Sequence, residues 1–501
     1  MVSQAPDRQS GGVNDQETDG KRKGCATCLR RRIRCDQTLP SCRKCERKGL
    51  TCPGYERRLR WAGAIAVRGR FRGIAEPRQL HGTGASHEHI VIGPSHVRGK
   101  EISSEQVAKW SDVAVDIARL VPGALTTAEI CGMVHYYHDR IAGNMVWIDS
   151  PSNPYKRLVI PRARSQPILL LAILTIASEH DAMSRKASSS MFSKNAHDIV
   201  ISHITRELER TVNMMSSSGA AVSLELHTVE WILASILVLS NYECIGSQSM
   251  LWCSHRLGAR TLIHAVSISR SETSELYQFL RAQFSTIDIL ASTTTRLHMN
   301  SQDVVLQESN DPEAILSEYM KLIHEINTYT WKGETNTSQI PPASVLRTKF
   351  ETVRGLTMMN AAASPALADD STRLHFILLA DVFHTAALLF AYRTACRLKP
   401  EDPAVQVLSK ELMEKLDHFI ANVPLIQTLP WPVLIAGIES HGLEERQVLV
   451  SKWYQAIIEG TGFNNYKEVE LFLVEYWAGN EKNWRKMAEL WERQGRPVLA
   501  V

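Results

Sequence analysis

Six cysteines fall at Cys25-x2-Cys28-x6-Cys35-x6-Cys42-x2-Cys45-x6-Cys52, so the half C-x2-C-x6-C occurs twice within 28 residues. Thiolates at this density are soft ligands for a cation such as zinc. Zinc takes four tetrahedral ligands, and two separate ions would need eight. Six thiolates suffice if two of them bridge both ions, and the repeat implies one bridge from the same place in each half. In a reducing compartment such clustering favours metal over disulfides. Each C-x2-C pair can wrap an ion at the start of a short helix, where N–H groups and the helix dipole favour thiolate. Pro40 can fix the turn between the halves. So short a segment has almost no core, and two zinc ions are expected to drive its folding.

Charge surrounds these ligands. Leu29-Arg30-Arg31-Arg32-Ile33-Arg34 stands between Cys28 and Cys35, and the second half adds Arg43, Lys44, Arg47 and Lys48. Arginines on a metal-pinned helix meet phosphates by charge, and they bond guanine O6 and N7 bidentately in the major groove. The expected contact set is Arg30, Arg31, Arg32, Arg34, Arg43 and Lys44, with double-stranded DNA as the partner. From Lys21 to Arg72 there are 17 Lys or Arg against 3 Asp or Glu, a net +14 in a chain of net +4. Residues 1–20 carry −3 and residues 73–501 carry −7. A cationic head on a mildly acidic body is the footprint of a polyanion binder. Lys21-Arg22-Lys23 also fits a nuclear import signal, which places the chain in the nucleus.

The elements that position these groups divide the 501 residues into four parts. Residues 1–20, polar and acidic without an apolar core, read as a disordered tail. Residues 21–55 form the cysteine module. Residues 56–101 form a linker rich in Gly, Arg and His, basic in its first part. From 102 to 501 apolar residues recur at three- and four-residue spacing, which predicts helices. Examples are Glu105–Leu120, Thr127–Ile141, Phe192–Val212, Leu224–Cys244, Glu275–Leu290, Glu313–Tyr329, Leu374–Leu398, Ala404–Val423 and Glu468–Arg493. Asp311-Pro312 and Asp402-Pro403 read as helix starts, with Asp capping and Pro in the first turn. The fold class is therefore a small binuclear zinc-cluster module, two short helices with metal-binding loops, plus a large all-α domain. The clean apolar runs Ile168–Ala177 and Trp231–Leu239 reach about half a membrane span, so no membrane is expected.

The module resembles the fungal Zn(II)2Cys6 zinc-cluster transcription factors. The resemblance rests on Arg22-Lys23-Gly24-Cys25-Ala26-Thr27-Cys28, the basic run, Cys35-Asp36, Pro40 and Cys52-Pro53-Gly54-Tyr55. It implies that Cys25 and Cys42 bridge the two ions, that Arg32 holds the base-reading position, and that the target is a CGG triplet, single or paired. Tyr55–Trp61 with the following Arg-Gly run, and Leu429–Glu439, resemble the acriflavine-sensitivity-control-like subgroup, whose helical body is regulatory. Trp252–Ala259 is a second such stretch. A secondary-metabolite gene cluster or a drug-resistance response is the implied target. The alternative is a ligand-responsive scaffold with weak DNA binding that controls nutrient catabolism. Residues 56–101 show no a/d heptads, so the chain acts either as a monomer or as a homodimer through the body, and the second is the expectation. A small-molecule effector or the transcription machinery is the further partner expected for the body.

No P-loop, dinucleotide fingerprint, nucleophile elbow or HExxH occurs, and the chain is not expected to be an enzyme. His135 and His138 stand at i, i+3 beside Asp139, yet no third ligand is evident, so they read as packing or surface groups. Cys253 and His255 read as helix core rather than a Cys–His pair. Cys131, Cys244 and Cys396 read as buried small hydrophobes. Trp431, Trp453, Trp477, Trp484 and Trp491 read as core aromatics, with an effector pocket as the second reading.

Overall fold

The structure is a computed structural model. It describes residues 27–28, 31, 33–36, 38, 42–50 and 52, and then 103–123, 125–188, 190–218, 225–246, 249–269, 273–295, 304–306, 315–331, 341–364, 367–420 and 425–501. The tail 1–20, the linker 56–101 and Asp311-Pro312 lie outside these residues. The chain forms two compact units, residues 1–79 and 80–501. Every regular element among the described residues is helical. In the first unit, α1 spans Arg43–Glu46. In the second, α2 to α6 span Ser104–Ala108, Ser111–Leu120, Thr127–Tyr136, Ile160–Ala163 and Pro167–Ser184. Helices α7 to α12 follow as Met191–Ser218, Leu226–Gly246, Ser249–Ser269, Glu275–Ala291, Ser317–Trp331 and Ala343–Ala363. The last six, α13 to α18, are Asp370–Thr394, Pro403–Ile420, Pro430–Ile438, Glu444–Thr461, Asn465–Ala478 and Trp484–Arg493.

Three departures from simple periodicity have local causes. The segment expected from 105 to 120 is two helices, because the chain turns at Lys109-Trp110 and buries Trp110. The segment expected from 127 to 141 closes as a π-turn over Tyr137–Ile141, which buries Tyr137. The segment expected from 468 to 493 breaks at 479–483, where Asn483 caps α18 through the N–H groups of Arg485 and Lys486. At the other predicted start, Asp402 accepts from the Ala404 N–H at 2.9 Å and Pro403 opens α14. Gly462 ends α16 in the left-handed conformation at φ 76°. A Cβ there would also stand 2.5 Å from His180 Nε2, so glycine is required twice over.

Helices α6, α8 and α13 are long and apolar enough, by length and composition, to cross a membrane. Each is an interior element here, with 67, 89 and 72% of its apolar window buried inside the unit. A helix apolar all round must be covered on all sides, and neighbouring helices cover these. Trp431 on α15 lies at the middle of the core. Its ring stacks on Phe383 at 5.9 Å and meets Phe390 edge-on, both from α13, while its N–H donates to Thr293 Oγ1 at 3.0 Å. The helix within Leu429–Glu439 is thus wholly buried, and its indole ties it to α13 and to Thr293.

Charge is also buried. Asp288 on α10 is fully enclosed and faces Arg256 and Arg260 of α9. Arg260 reaches it through Nη2 at 2.9 Å and through Nε at 3.0 Å, and the Val305 N–H adds a weaker bond at 3.4 Å. Arg256 further donates to Thr295 Oγ1 at 2.7 Å and to the Asp288 carbonyl at 2.6 Å. Removing one partner of such a set leaves charge stranded in a dry interior. Asp288→Ala should cost the body about 3–5 kcal/mol in urea unfolding followed by tryptophan fluorescence, and a loss below about 1 kcal/mol would contradict this account.

Candidate metal centre

The core of the first unit is built from thiols. Cys28, Cys42 and Cys45 are fully buried, and the residues packed on them are Cys35 and Cys52. Cys42 caps α1, and its sulfur accepts the Cys45 N–H at 3.3 Å, so the C-x2-C spacing aims both side chains inward across one turn. Cys52 returns to the same point, with its sulfur accepting the Cys42 N–H at 3.4 Å. Gly49, at φ 60°, turns the chain so that the Leu50 N–H closes on Cys45 O at 3.0 Å. In the first half, Thr27 and Cys28 are helical, and the Arg31 and Ile33 N–H groups donate back to Thr27 O and Cys28 O, both at 3.1 Å.

Two triads result. The sulfurs of Cys28, Cys35 and Cys42 lie within 4.8 Å of one another, as do those of Cys42, Cys45 and Cys52. Cys42 belongs to both. Cys28 and Cys42 Sγ are 3.6 Å apart, close to the edge of about 3.8 Å that a tetrahedral shell of zinc-bound sulfur requires. This donor set fits zinc, and the buried sulfurs leave no room for a different core. Cys25 lies outside the described residues, so its place beside the first triad is not part of this geometry.

The cationic rim lies outside the thiols. Arg31, Arg34, Arg43 and Lys44 are all exposed. Lys44 also has a structural task, since its ammonium donates to Arg34 O at 2.6 Å and ties α1 to the first half. Thr38 links the halves too: its hydroxyl donates to Asp36 at 2.9 Å and accepts the Arg43 N–H at 3.4 Å. Arg30 and Arg32 lie outside the described residues.

In the second unit the residues weighed for catalysis are scattered. His135 contacts its own helix at Cys131 O, 2.8 Å away, and His138 pairs with its neighbour Asp139 at the surface. Burial pushes the Cys244 thiol up to about 12 and those of Cys253 and Cys396 to about 11, which makes them poor nucleophiles. Trp431, Trp453, Trp484 and Trp491 are buried, and half-buried Trp477 donates to Gly437 O at 2.8 Å. His255 lies in the helix core, as expected. It is buried beside Glu243 and His197, a grouping that sequence spacing did not reveal.

Residues 23–62 match the fungal Zn(2)-Cys(6) binuclear cluster domain, and residues 133–497 match the fungal specific transcription factor domain. The chain belongs to this family of fungal zinc-cluster transcription factors. Two zinc ions are the metal content of its cluster domain, and the family is regulatory rather than catalytic. The chain is similar to an acriflavine sensitivity control protein of Neurospora crassa, 52% identical over 42 residues, which is 8% of this chain and 7% of that protein. It is 46% identical to an arginine metabolism regulation protein of Saccharomyces cerevisiae over 39 residues, 8% of this chain and 4% of that one. A phomenoic acid biosynthesis cluster-specific transcriptional regulator of Leptosphaeria maculans is 19% identical over 511 residues, covering 93% of this chain and 88% of that protein. No solved structure matches the chain.

A core made of thiols has nothing to hold it once metal is gone. Treating the full chain with a zinc chelator should open the Arg and Lys bonds of 30–48 to trypsin while fragments of the helical body persist. Equal cleavage with and without chelator would contradict metal-dependent folding.

Proposed function

We propose that this regulator acts in the nucleus on RNA polymerase II genes and reads CGG-type sites in double-stranded DNA through its zinc cluster. The observation that carries the proposal is the pair of thiol triads joined at Cys42 beneath an exposed rim of Arg31, Arg34, Arg43 and Lys44. In this reading Cys25, Cys28, Cys35, Cys42, Cys45 and Cys52 hold two zinc ions, with Cys25 and Cys42 bridging. Arg30, Arg31, Arg34, Arg43 and Lys44 seat the module on phosphates, and Arg32 reads guanine. Residues 21–55 are the DNA-binding module, 56–101 a basic linker that lies along the duplex, and 102–501 the regulatory domain. The names of the Neurospora and Leptosphaeria relatives favour a drug-resistance response or a secondary-metabolite cluster as the target.

One feature favours the second reading, a ligand-responsive regulator of nutrient catabolism. A half-open cleft with a cavity volume of about 90 Å³ lies among Trp147, Trp252, Trp431, Phe463 and Tyr466, with Asn241 and Gln427 among its polar groups. An apolar cavity with a few polar groups is the usual form of a small-molecule site. Pairing through the body also has a surface to use: Val345, Leu356 and Met359 lie on one face of α12 and are exposed, as are Leu374 and Ile377 on the adjoining α13.

Electrophoretic shift of the full chain on a CGG probe tests the main reading. Zinc-dependent binding should fall by roughly tenfold or more in Arg32→Ala, as expected for a lost bidentate guanine contact of about 1–3 kcal/mol. Unchanged binding removes Arg32 as the reader. Arg31→Ala and Arg34→Ala should instead weaken all duplexes alike and flatten the salt dependence. In cobalt-substituted protein, Cys42→Ser should remove most of the thiolate-to-metal absorption, whereas Cys52→Ser should leave the share of the first ion.

A further inference from the structure

Three helices of the body bring one ligand each to a single buried point. His197 comes from α7, Glu243 from α8 and His255 from α9. Glu243 Oε1 lies 2.8 Å from His197 Nε2 and 3.6 Å from His255 Nε2. The ligand atoms of all three residues lie within 4.8 Å of one another. The Glu243 side chain is wholly buried, and its second oxygen, Oε2, has no hydrogen-bond partner. A buried carboxylate with an unsatisfied oxygen is costly in an apolar interior. The arrangement satisfies only half of what Glu243 presents.

We propose that His197, Glu243 and His255 form a second metal site, separate from the cysteine cluster, that takes a divalent first-row transition ion with zinc as the natural occupant. Two imidazoles and a carboxylate are a donor set suited to zinc. A tetrahedral shell with zinc–nitrogen and zinc–oxygen bonds of about 2.0–2.1 Å has edges of about 3.4 Å, and the distances of 2.8 and 3.6 Å straddle that edge. The outer contacts fit as well. His197 Nδ1 faces the Asp198 carboxylate at 3.3 Å, which would hold a proton on Nδ1 once a metal displaced the one that Nε2 shares with Glu243 Oε1. A carboxylate behind a ligating histidine is the common way to fix its tautomer. Tyr242 stacks on the His197 ring at 5.0 Å and holds its plane. Asp198 itself is exposed to solvent.

Two of these helices bound the cavity described above, through Cys244 next to Glu243 on α8 and Trp252 one turn before His255 on α9. An ion at the triad pins α7, α8 and α9 together and so fixes one wall of that cavity.

The test uses the full chain purified from zinc-replete cells. Zinc per chain, measured by plasma mass spectrometry, should be one equivalent lower in His255→Gln and in Glu243→Gln than in the wild type. The difference is decisive whatever the cysteine cluster holds, and equal content in all three proteins overturns the site. Because a buried variant can fail to fold, zinc X-ray absorption of the wild type supplies a second reading. A nitrogen and oxygen shell near about 2.0 Å beside the sulfur shell near about 2.3 Å supports the site. A shell of sulfur alone overturns it.

Discussion

The N-terminal unit depends on the mutual burial of its cysteine sulfurs. Cys28, Cys42 and Cys45 have no accessible surface, and what packs against them is more sulfur. Thiolates cannot share such a space without a cation, since like charges at under 4 Å repel strongly in a poor dielectric. Metal is therefore both the neutralising charge and the core. The α1 cap, the turn at Gly49 and the Lys44–Arg34 tie each hold a sulfur or a basic side chain relative to the others. Arginines on a rim held this way present charge at fixed spacing, which a flexible basic peptide cannot do.

The helical body solves the opposite problem. It has apolar surface in abundance, with α6, α8 and α13 each apolar enough to span a bilayer and each covered by neighbours. Its few buried charges must therefore find partners within it. Asp288 does so with two guanidiniums, and Glu439 does so with Arg393 at 2.6 Å, although burial still pushes the Glu439 carboxyl up. Glu243 is drawn the other way. Burial opposes its ionisation, but hydrogen bonds and charge from His197 and His255 outweigh that and hold its carboxyl below the ordinary value.

How much of this was legible depended on sequence separation. The cysteine module is readable because all six ligands lie within 28 residues, and metal geometry converts spacing directly into shape. Long helices are readable because burial imposes a period, and most predicted segments coincide with observed helices to within a few residues. The π-turn at Tyr137–Ile141 and the breaks at 109–110 and 479–483 were not, because each is set by what the segment packs against. The triad escaped for the same reason. His197 and Glu243 are 46 residues apart, and His255 in isolation has the pattern of a core histidine. Only the packing of α7, α8 and α9 makes them neighbours. The cavity around Trp431 is likewise assembled from residues 144 to 501 and has no local signature beyond an excess of aromatics.

The two kinds of site differ in what a metal does for them. In the cysteine module, folding and binding are one event, so affinity for metal is affinity for the folded state. The triad stands on helices that already bury their own apolar faces, so an ion adds to a stability that exists without it. The first responds to metal as an all-or-none switch of structure. The second would gain stability only as the logarithm of free metal above its dissociation constant. A regulator with both arrangements can lose its DNA-reading head when zinc is scarce while its body remains folded. That division follows from where the apolar surface lies: almost none in the head, and an excess of it in the body.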